Sequence, residues 1–478
     1  MHPLGSPYVR DQIAQRATLA NETRLVPEGD LVLYWMQSTQ RLHENWALRF
    51  ATIEADRLNR PLVIFHELTP DQQYASDRFH TFALEGAREI AAEAAKLGYA
   101  YRFAIRHRKN GDARSLTRLA SRACLIVTDS SPTGGVRERT ARFATRSPCR
   151  VIAVDSVGIV PAAMLSREEY AARTIRPKLA KLRDVCLEQV ADRPPKRAAS
   201  AALLAALETE TLDLARADIA AEVARCEIDH SVGAVATRGG QSTARARLAH
   251  FVGTGLQSYR DRRKEPADLD GSSRLSPYLR FGQISPAEVV RAAIAHAPTE
   301  EADAFLDEML TWRELSLNFC LRNPSYASLE ALPSWVHRSM DEHADDPREV
   351  LYSLETLEGA DTHDALWNAG QRELVTSGHL HNAVRMLWGK SVLLWSATYA
   401  DALDLLIRLN DRYALDGRDP NSYANILWCF GKFDRPFAAR PVWGTIRPMS
   451  LARAKGKFDV DRYVTAWSDL ATTGAVAS

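Results

Sequence analysis

Short apolar runs alternate with helix-like segments through the first 156 residues, and this alternation constrains the fold more than any other feature of the chain. Each run has the length and the β-branched or aromatic content of a buried strand. The runs are LVLYWM (31–36), PLVIF (61–65), YRFAI (101–105), CLIVTD (124–129) and VIAVD (151–155). Segments such as NWALRFATIEADRLN separate them, so we predict a parallel sheet covered by helices on both faces. No GxGxxG or GxxxxGKS/T pattern follows a run, so a standard dinucleotide or P-loop site is not predicted.

The pattern changes after residue 156. The charged stretch REEYAARTIRPKLAKLRD is a helix or loop that we expect Pro177 to interrupt. Further along, strand signals nearly vanish and helical periodicity dominates, as in THDALWNAGQRELVTSG. We therefore predict an α/β plus all-α fold: an α/β domain at 28–156, an interdomain segment with helices at 157–235 and an all-helical domain at 236–465.

Composition excludes several classes of protein. A hydrophobic content of 46% and a charged content of 25% in 478 residues are typical of a soluble globular protein. No apolar run reaches the roughly 18 residues of a membrane helix, and the N-terminus has no signal-peptide core. The six cysteines form no CxxC pair and no zinc spacing, so we predict reduced, mostly buried thiols, a cytoplasmic location and no metal site. A monomer is the default expectation.

Charge is unevenly distributed along the chain. The net charge of +1 gives no overall signal for nucleic acid. Residues 418–457, however, contain eight Lys or Arg against two Asp. A local basic surface can bind phosphate groups even on a neutral protein. A solvated surface explains this charge equally well.

Two short segments suit a ligand site, although each also has a purely structural explanation. In GSSRLSPYLRFGQISP (271–286), Gly271 and the serines can present amides and hydroxyls to an anion, or they form a capped turn. In EMLTWRE (308–314), Glu308 and Trp312 share one helix face. They can hold an extruded base by hydrogen bonding and stacking, or they can belong to an ordinary amphipathic helix.

A third segment, HNAVRMLWGKSVLLWS, places Trp388 and Trp395 seven residues apart. That spacing puts them about 10.5 Å apart along one helix face, which suits either core packing or single-electron transfer through indoles. Arg385 lies in the same apolar helix and needs an anionic partner there. The run LNDRYALDGRDPNSYANILW also contains Asn410, an uncharged amide that can lie against a redox ring. Candidate partners for the arginine in that run are Asp411, Asp416 and Asp419.

These segments, taken in order, resemble the photolyase/cryptochrome family, and most of all its class II cyclobutane pyrimidine dimer (CPD) photolyases. LVLYWMQSTQRLHENWAL resembles the opening strand and helix of that class, and EEYAARTIRPKLAKL its interdomain segment. Its flavin domain is matched by LSPYLRFGQISP, WRELSLNFC, THDALWNAGQ, LNDRYALDGRDPN and RPVWGTIRPMS with KFDVDRY. The resemblance covers about residues 28–465. The segments LHNAVRM and SSRLSPYL are closer to class I enzymes. Lys432-Phe433-Asp434 stands where class II proteins commonly have the dipeptide His-Asp. With these departures the chain resembles an outlying branch beside class II.

The resemblance implies a Rossmann-like antenna domain followed by a helical domain that binds FAD. It implies that Arg385 pairs with Asp416 near the flavin ring and that Asn410 faces flavin N5. The other residues it assigns to FAD are Tyr259, Ser272, Ser273, Arg274, Leu275 and Ser276. It assigns Glu308, Trp312 and Trp428 to the thymine dimer, and Trp367, Trp388 and Trp395 to an electron relay that reduces the flavin. The DNA contacts that we predict are Arg263, Lys432, Arg435, Arg440 and Arg447.

The function implied by the resemblance is light-driven repair of CPDs in UV-damaged DNA, by electron transfer from excited reduced FAD. The alternatives are a cryptochrome-like blue-light photoreceptor and a (6-4) photoproduct photolyase, in which His381 would be the acid. The presence of Glu308, Trp312 and Trp428 and the short C-terminal tail favour dimer repair. The α/β domain is expected to hold a deazaflavin, a folate, a flavin or no second chromophore, since no local motif decides.

Overall fold

The chain forms a sheet-containing N-terminal part and a helical C-terminal part. The computed structural model describes residues 1–111, 114–207, 209–296 and 299–468. Its strands are β1 (His2–Pro3), β2 (Ala17–Leu19), β3 (Leu31–Met36), β4 (Leu62–Leu68), β5 (Ala100–Ile105), β6 (Ala123–Ser130), β7 (Val151–Asp155) and β8 (Val190–Ala191). The helices of the first 224 residues are α1 (Pro7–Arg16), α2 (Trp46–Leu58), α3 (Asp77–Leu97), α4 (Arg114–Arg122), α5 (Val136–Ala144), α6 (Ala172–Cys186), α7 (Ala201–Ala205) and α8 (Ile219–Ala224).

The main sheet has six strands in the order β2-β7-β6-β3-β4-β5. All neighbours in it are parallel except β2, which pairs antiparallel with β7. The five strands predicted from the sequence are confirmed as β3 to β7. The sequence analysis missed β2, a three-residue edge strand that precedes the predicted start of the domain at residue 28. Its ATL sequence is too short to show a periodicity.

Central strand β3 shows why an almost continuous apolar run marks a parallel sheet. All six of its side chains are buried. Val32, Tyr34 and Met36 pack in the same core cluster as α2 residues, including Trp46. The alternate residues of the strand lie in the opposite cluster with Leu116 and Leu119 of α4. Both faces of the strand are therefore covered by helices, as predicted.

Helix α6 corrects one prediction. Pro177 lies within this helix, which continues to Cys186. The proline removes one backbone donor that would otherwise bond to the carbonyl of Arg173. Ile175 and Leu179, on either side of it, are buried in a core cluster shared with the helical part. That burial holds the segment in a helical conformation, so the predicted interruption was wrong.

The rest of the described chain is mainly helical. No strand follows β8 in the described ranges, although Asp229 forms an isolated bridge with Ser76, and Arg440 forms another with Gly444. Its helices are α9 (Gln241–Gly253), α10 (Tyr259–Arg262), α11 (Ser276–Arg280), α12 (Pro286–His296), α13 (Thr299–Leu306), α14 (Arg313–Arg322), α15 (Ser334–Glu342), α16 (Leu354–Glu358), α17 (Ala365–Ser377), α18 (Asn382–Leu394), α19 (Tyr399–Tyr413), α20 (Pro420–Cys429) and α21 (Val460–Ser468). The predicted α/β plus all-α fold class is confirmed.

Two further findings concern the whole of the described chain. All six cysteines are free and buried, as the sequence analysis predicted. None of the described helices is both long enough and apolar enough to span a bilayer.

Candidate functional site

A cavity of about 540 Å³ lies inside the helical part, and it gathers most of the predicted site residues. Its walls come from separate stretches of the chain: the residues at α10, the loop before α11, the turn before α14, helix α18 with the residues before it, the segment around α20, and residues 447 and 449. The predicted residues that line it are Tyr259, Arg263, Ser272, Ser273, Arg274, Leu275, Ser276, Glu308, Trp312, Arg385, Asp416, Trp428 and Arg447. Its volume falls in the range of roughly 300–1,000 Å³ that is usual for small-molecule sites.

The loop formed by residues 272–276 supplies one wall. Arg274 has a φ of +52°, a left-handed conformation that side-chain-bearing residues rarely adopt and that is often found at functional sites. Arg247 of α9 holds the loop from behind, because its guanidinium donates to the carbonyl oxygens of Ser272 (2.9 Å) and Ser273 (3.0 Å). Sequence analysis missed Arg247, since nothing in the QSTARARLAHF segment distinguishes it from a surface arginine.

Arg385 forms an ion pair with Asp416, the residue that the resemblance implied. One of its terminal nitrogens lies 3.2 Å from the Asp416 carboxylate, and the other donates to Asn410 Oδ1 at 3.3 Å. Of the other two candidate aspartates, Asp411 accepts from the Asn410 amide (2.9 Å) and the Tyr423 hydroxyl (3.0 Å). The third, Asp419, accepts from the backbone N–H of the second residue of α20, so that it caps this helix.

The electrostatics of the pair favour the charged carboxylate. Burial alone would raise the pKa of Asp416, but the Arg385 charge and a hydrogen bond from Ser276 outweigh it, and the net pKa lies below the ordinary 3.8. Asn410 does not line the cavity itself and lies behind Arg385. Its amide is fixed at both ends, because the oxygen accepts from Arg385 and the nitrogen donates to Asp411.

Glu308 and Trp312 lie in a π-helical turn, Asp307–Trp312, between α13 and α14. Such turns are rare and frequently occur at functional sites. The Glu308 carboxylate forms an ion pair with Arg263 inside the cavity, and the two side chains are 31% and 29% exposed. Arg263 was predicted to contact DNA, so its place beside Glu308 is a finding of the structure.

Two stacked indoles also line the cavity. Trp312 and Trp428 stack with their ring centroids 4.7 Å apart and their planes 27° apart. Phe433 packs edge-on against Trp428 at 6.2 Å and also lines the cavity. The carboxylate and the stacked rings therefore line one cavity, as a site for a planar base requires.

The three tryptophans that the resemblance assigned to an electron relay are in contact, with Trp367 in the middle. Its ring is stacked on Trp388 (6.2 Å, 8° between planes) and lies edge-on to Trp395 (5.5 Å, 66°). The indole nitrogen of Trp388 donates to Gln371 Oε1 at 3.1 Å, which fixes the orientation of its ring. The seven-residue spacing therefore does not bring Trp388 and Trp395 together by itself, because Trp367 from the neighbouring helix α17 bridges them.

The basic segment is less uniform than the sequence suggested. Arg435, Arg440 and Arg447 are exposed, as a phosphate-binding role requires. The ammonium of Lys432, in contrast, lies 2.7 Å from Glu168 and its side chain is only 8% exposed. Lys432 ties the helical part to the interdomain segment, so we withdraw it from the predicted DNA contacts. Arg418 is also buried, and it donates to the carbonyl of Gln73 at 2.7 Å.

A buried polar cluster behind the cavity was not predicted. The carboxylate of Glu373, which is fully buried, accepts from the Tyr463 hydroxyl and pairs with His379 Nδ1 at 3.0 Å. The backbone N–H of His381 also donates to this carboxylate. Burial lowers the pKa of the His381 imidazole to about 4, and its Nδ1 accepts from the backbone at the start of α18. His381 is therefore a neutral helix-capping residue.

A smaller cavity lies at the carboxyl ends of β3, β6 and β7, in the α/β part for which a second chromophore was left open. Ligands of open α/β sheets bind at this edge. Its walls include Arg41, Arg139, Arg280, Arg313 and Arg418.

The comparisons with known proteins agree with this geometry. A statistical model of the DNA photolyase family matches residues 32–198. A protein named deoxyribodipyrimidine photo-lyase from Methanothermobacter thermautotrophicus is 36% identical over 91% of this chain and 94% of its own length. A protein of the same name from Oryza sativa subsp. japonica is 35% identical over 91% of this chain and 87% of its own length.

Solved structures share the fold at lower identity. A photolyase from Sulfolobus tokodaii, described with two FAD molecules, aligns with a TM-score of 0.63 at 17% identity over 93% of this chain and 91% of that chain. A Synechocystis cryptochrome aligns with a TM-score of 0.66 at 15% identity over 93% of this chain and 89% of that chain. With the curated relatives, which are more than 30% identical over nearly the whole chain, these findings establish that the chain belongs to the photolyase/cryptochrome family.

Proposed function

We propose that this protein uses light to repair cyclobutane pyrimidine dimers in DNA, with FAD held in the 540 Å³ cavity. The observation that carries this proposal is that the residues proposed to bind the flavin and those proposed to bind the dimer line the same cavity. The Arg385–Asp416 pair lines the cavity together with Glu308 and the stacked Trp312 and Trp428. The curated relatives named deoxyribodipyrimidine photo-lyase confirm the predicted enzyme class.

The charges of the cavity fit an anionic cofactor such as FAD. Arg263 and Arg385 each have a carboxylate partner, whereas Arg274 has no ion-pair partner within 4.0 Å among the described residues. Burial lowers the pKa of Arg274, which reflects the cost of desolvating its charge. A diphosphate next to Arg274, with the hydroxyls of Ser272 and Ser273, would remove that cost.

When bound and reduced, FAD supplies an excited-state electron to the lesion and recovers it after the cyclobutane ring has opened. The protein contributes binding, orientation and electrostatics. Arg385 places a positive charge beside the ring site, which stabilises negative charge there. Asn410 lies behind Arg385 and holds its guanidinium through an amide that cannot ionise and that Asp411 fixes in turn.

The part of the cavity lined by Glu308, Trp312 and Trp428 suits a dimer that has left the DNA stack. Trp312 and Trp428 offer flat apolar surfaces for its rings, and Glu308 offers a carboxylate that accepts from a thymine N–H. A dimer costs less to flip out than an intact base pair because its bases are already poorly stacked, and this difference contributes to selectivity. The exposed Arg435, Arg440 and Arg447 are proposed to bind the flanking phosphates.

The state of His381 argues against repair of (6-4) photoproducts. That chemistry would require a histidine acid, and His381 was the sequence candidate. Because burial lowers its pKa to about 4 and its Nδ1 accepts the helix-capping bond, the imidazole carries no proton to donate from that nitrogen near neutral pH.

The proposal is tested with the purified protein. An absorption spectrum should show bound flavin. A dimer-containing thymine oligonucleotide should then regain its thymine absorbance under blue light with reductant and remain unchanged in the dark. Flavin binding without light-dependent repair would refute dimer photolyase activity and favour a photoreceptor.

A further inference from the structure

A buried carboxylate lies directly behind the cavity wall. Glu373 of α17 is 1% exposed, and both of its oxygens accept hydrogen bonds. One oxygen accepts from His379 Nδ1 at 3.0 Å, and the other accepts from the Tyr463 hydroxyl and the backbone N–H of His381. Burial alone would raise the pKa of Glu373. The hydrogen bond and charge of His379 and the hydrogen bond from Tyr463 outweigh that effect, so the net pKa lies below the ordinary 4.5.

The same contact fixes the ring of His379. An ionised carboxylate can only accept a hydrogen bond, so Nδ1 of His379 carries the proton in this contact. The side chain lines the cavity and is 17% exposed. Its other ring nitrogen, Nε2, makes no hydrogen bond to any residue that the structure describes. The imidazole is therefore held at one nitrogen and free at the other, an arrangement that suits contact with a ligand.

The loop between α17 and α18, which carries His379, is fixed at several points. Gly378 ends α17 in the left-handed conformation, with a φ of +71°. The carbonyl of Leu380 accepts from the Arg385 guanidinium at 3.4 Å, and His381 caps the start of α18. A loop held in this way presents its side chains without a large cost of ordering when a ligand binds.

Charged groups on both sides of the cavity face this pair. The charge of His379 contributes to the lowered pKa of Asp416, which is the partner of Arg385. Burial lowers the pKa of Arg274, in the loop before α11, and the charge of Glu373 partly offsets this effect. The pair therefore lies near both groups that we propose to hold FAD: the loop for the diphosphate and the ion pair for the flavin ring.

We propose that His379 is a further cofactor-binding residue, whose Nε2 donates to an oxygen of the flavin nucleotide, and that Glu373 is the positioning residue that holds it there; this inference rests on the proposed function. To donate from both nitrogens the imidazole must be a cation. The ionised Glu373 supplies its counter-charge, so the pair adds no net charge to the cavity wall. A charged donor also forms a stronger hydrogen bond with an anionic nucleotide than a neutral donor does.

The experiment uses the holoprotein with oxidised flavin. Release of FAD on dilution is followed by the fluorescence of free FAD from about pH 6 to about pH 9, the range that brackets an ordinary histidine. Release should increase as the pH rises, because the imidazolium loses the proton that it donates. The other groups that face this histidine keep their charge state over the range: Glu373, His381, Asp416, Tyr463, Arg274 and Arg385. This measurement depends on no variant.

Two variants separate binding from positioning. His379→Gln keeps a neutral donor but carries no charge. At the acid end of the range it should release FAD about 10- to 100-fold more readily than the unaltered protein, and its release should not change with pH. In Glu373→Gln the rise in release should move to lower pH, because the cation has lost its counter-charge. A merely structural role of Glu373 would instead raise release equally at every pH.

His43→Gln is the matched control. His43 also pairs with a glutamate, Glu93, at 2.7 Å, but it does not line the cavity, so this variant should release FAD as the unaltered protein does. Release that does not depend on pH in the unaltered protein, or His379→Gln that holds FAD as tightly, would overturn the role of His379. An unshifted rise in Glu373→Gln would overturn its positioning role. Holoprotein that releases FAD as expected but repairs no dimer in the light would instead refute the proposed function.

Discussion

Replacing Glu308 with alanine should separate lesion repair from cofactor binding. In the structure this carboxylate contacts Arg263 and lies in the same turn as Trp312, whereas the residues that we propose to hold the flavin ring are Arg385 and Asp416. Both members of the Glu308–Arg263 pair are about 30% exposed. A partly solvated pair of this kind contributes only about 0–1 kcal/mol to stability, so Glu308→Ala should fold and retain its flavin.

The cost to repair should be much larger. A hydrogen bond from a neutral N–H group to a carboxylate contributes about 1.5–3 kcal/mol. Since about 1.4 kcal/mol corresponds to a factor of ten, losing the bond to the dimer should lower repair efficiency by about 10- to 100-fold. The measurement is the quantum yield of repair at subsaturating oligonucleotide, alongside the flavin-to-protein ratio from the absorption spectrum.

Asp307→Ala is the matched control for this experiment. Asp307 is the neighbouring carboxylate in the same π-helical turn, but it pairs with Arg176 on the surface at 2.8 Å and does not line the cavity. The Asp307→Ala variant should therefore retain both its repair activity and its bound flavin. Parallel losses of flavin and repair in Glu308→Ala, or equal losses in the two variants, would refute the role that we assign to Glu308.

Three further predictions concern the relay, the DNA surface and the charged pair. Trp388→Phe should block photoreduction of oxidised flavin but spare repair by the chemically reduced enzyme; loss of both would contradict the relay assignment. Arg435→Ala should lower the magnitude of the slope of log K against log salt by about one, whereas Lys432→Ala should leave the slope unchanged, as filter binding at several salt concentrations would show. Asp416 has a lowered folded pKa, so its carboxylate stabilises the fold at neutral pH and that contribution is lost as the pH falls below 3.8. The stability difference between the unaltered protein and Asp416→Asn, measured by urea unfolding, should therefore shrink in acid; a difference that grows in acid would show that the pair with Arg385 does not depress this pKa.

Much of the fold could be predicted because its signals are local. The LVLYWM run coincides with the whole of β3, since a strand buried on both faces must be apolar at every position. Strand β2 escaped detection because three residues at a sheet edge carry no pattern. The interruption of the helix at Pro177 was predicted wrongly because only the lost backbone hydrogen bond of the proline was considered. The burial of the neighbouring residues, which stabilises the helix, was not.

The candidate site was predicted less evenly. Arg385 requires an anion wherever its helix is buried, and the ordered motifs pointed to Asp416. Nothing in the sequence of residues 241–253 marks Arg247 as the support of the 272–276 loop. The charge count over residues 418–457 treated Lys432 as equal to its neighbours, although it is buried against Glu168. Charge composition states how many cations are present and not which of them face water.

The amino-acid sequence by itself determined the order of strands and helices, the change from α/β to all-helical architecture, and the membership of the family, because these depend on periodicity and on motifs of neighbouring residues. Only the tertiary structure decided that Glu308 forms an ion pair with Arg263, that Trp312 stacks on Trp428, and that Trp395 packs edge-on against Tyr352. Each of these contacts joins residues that are distant in the chain. Their distances are set by how whole helices pack against one another, and no local pattern of side chains carries that information.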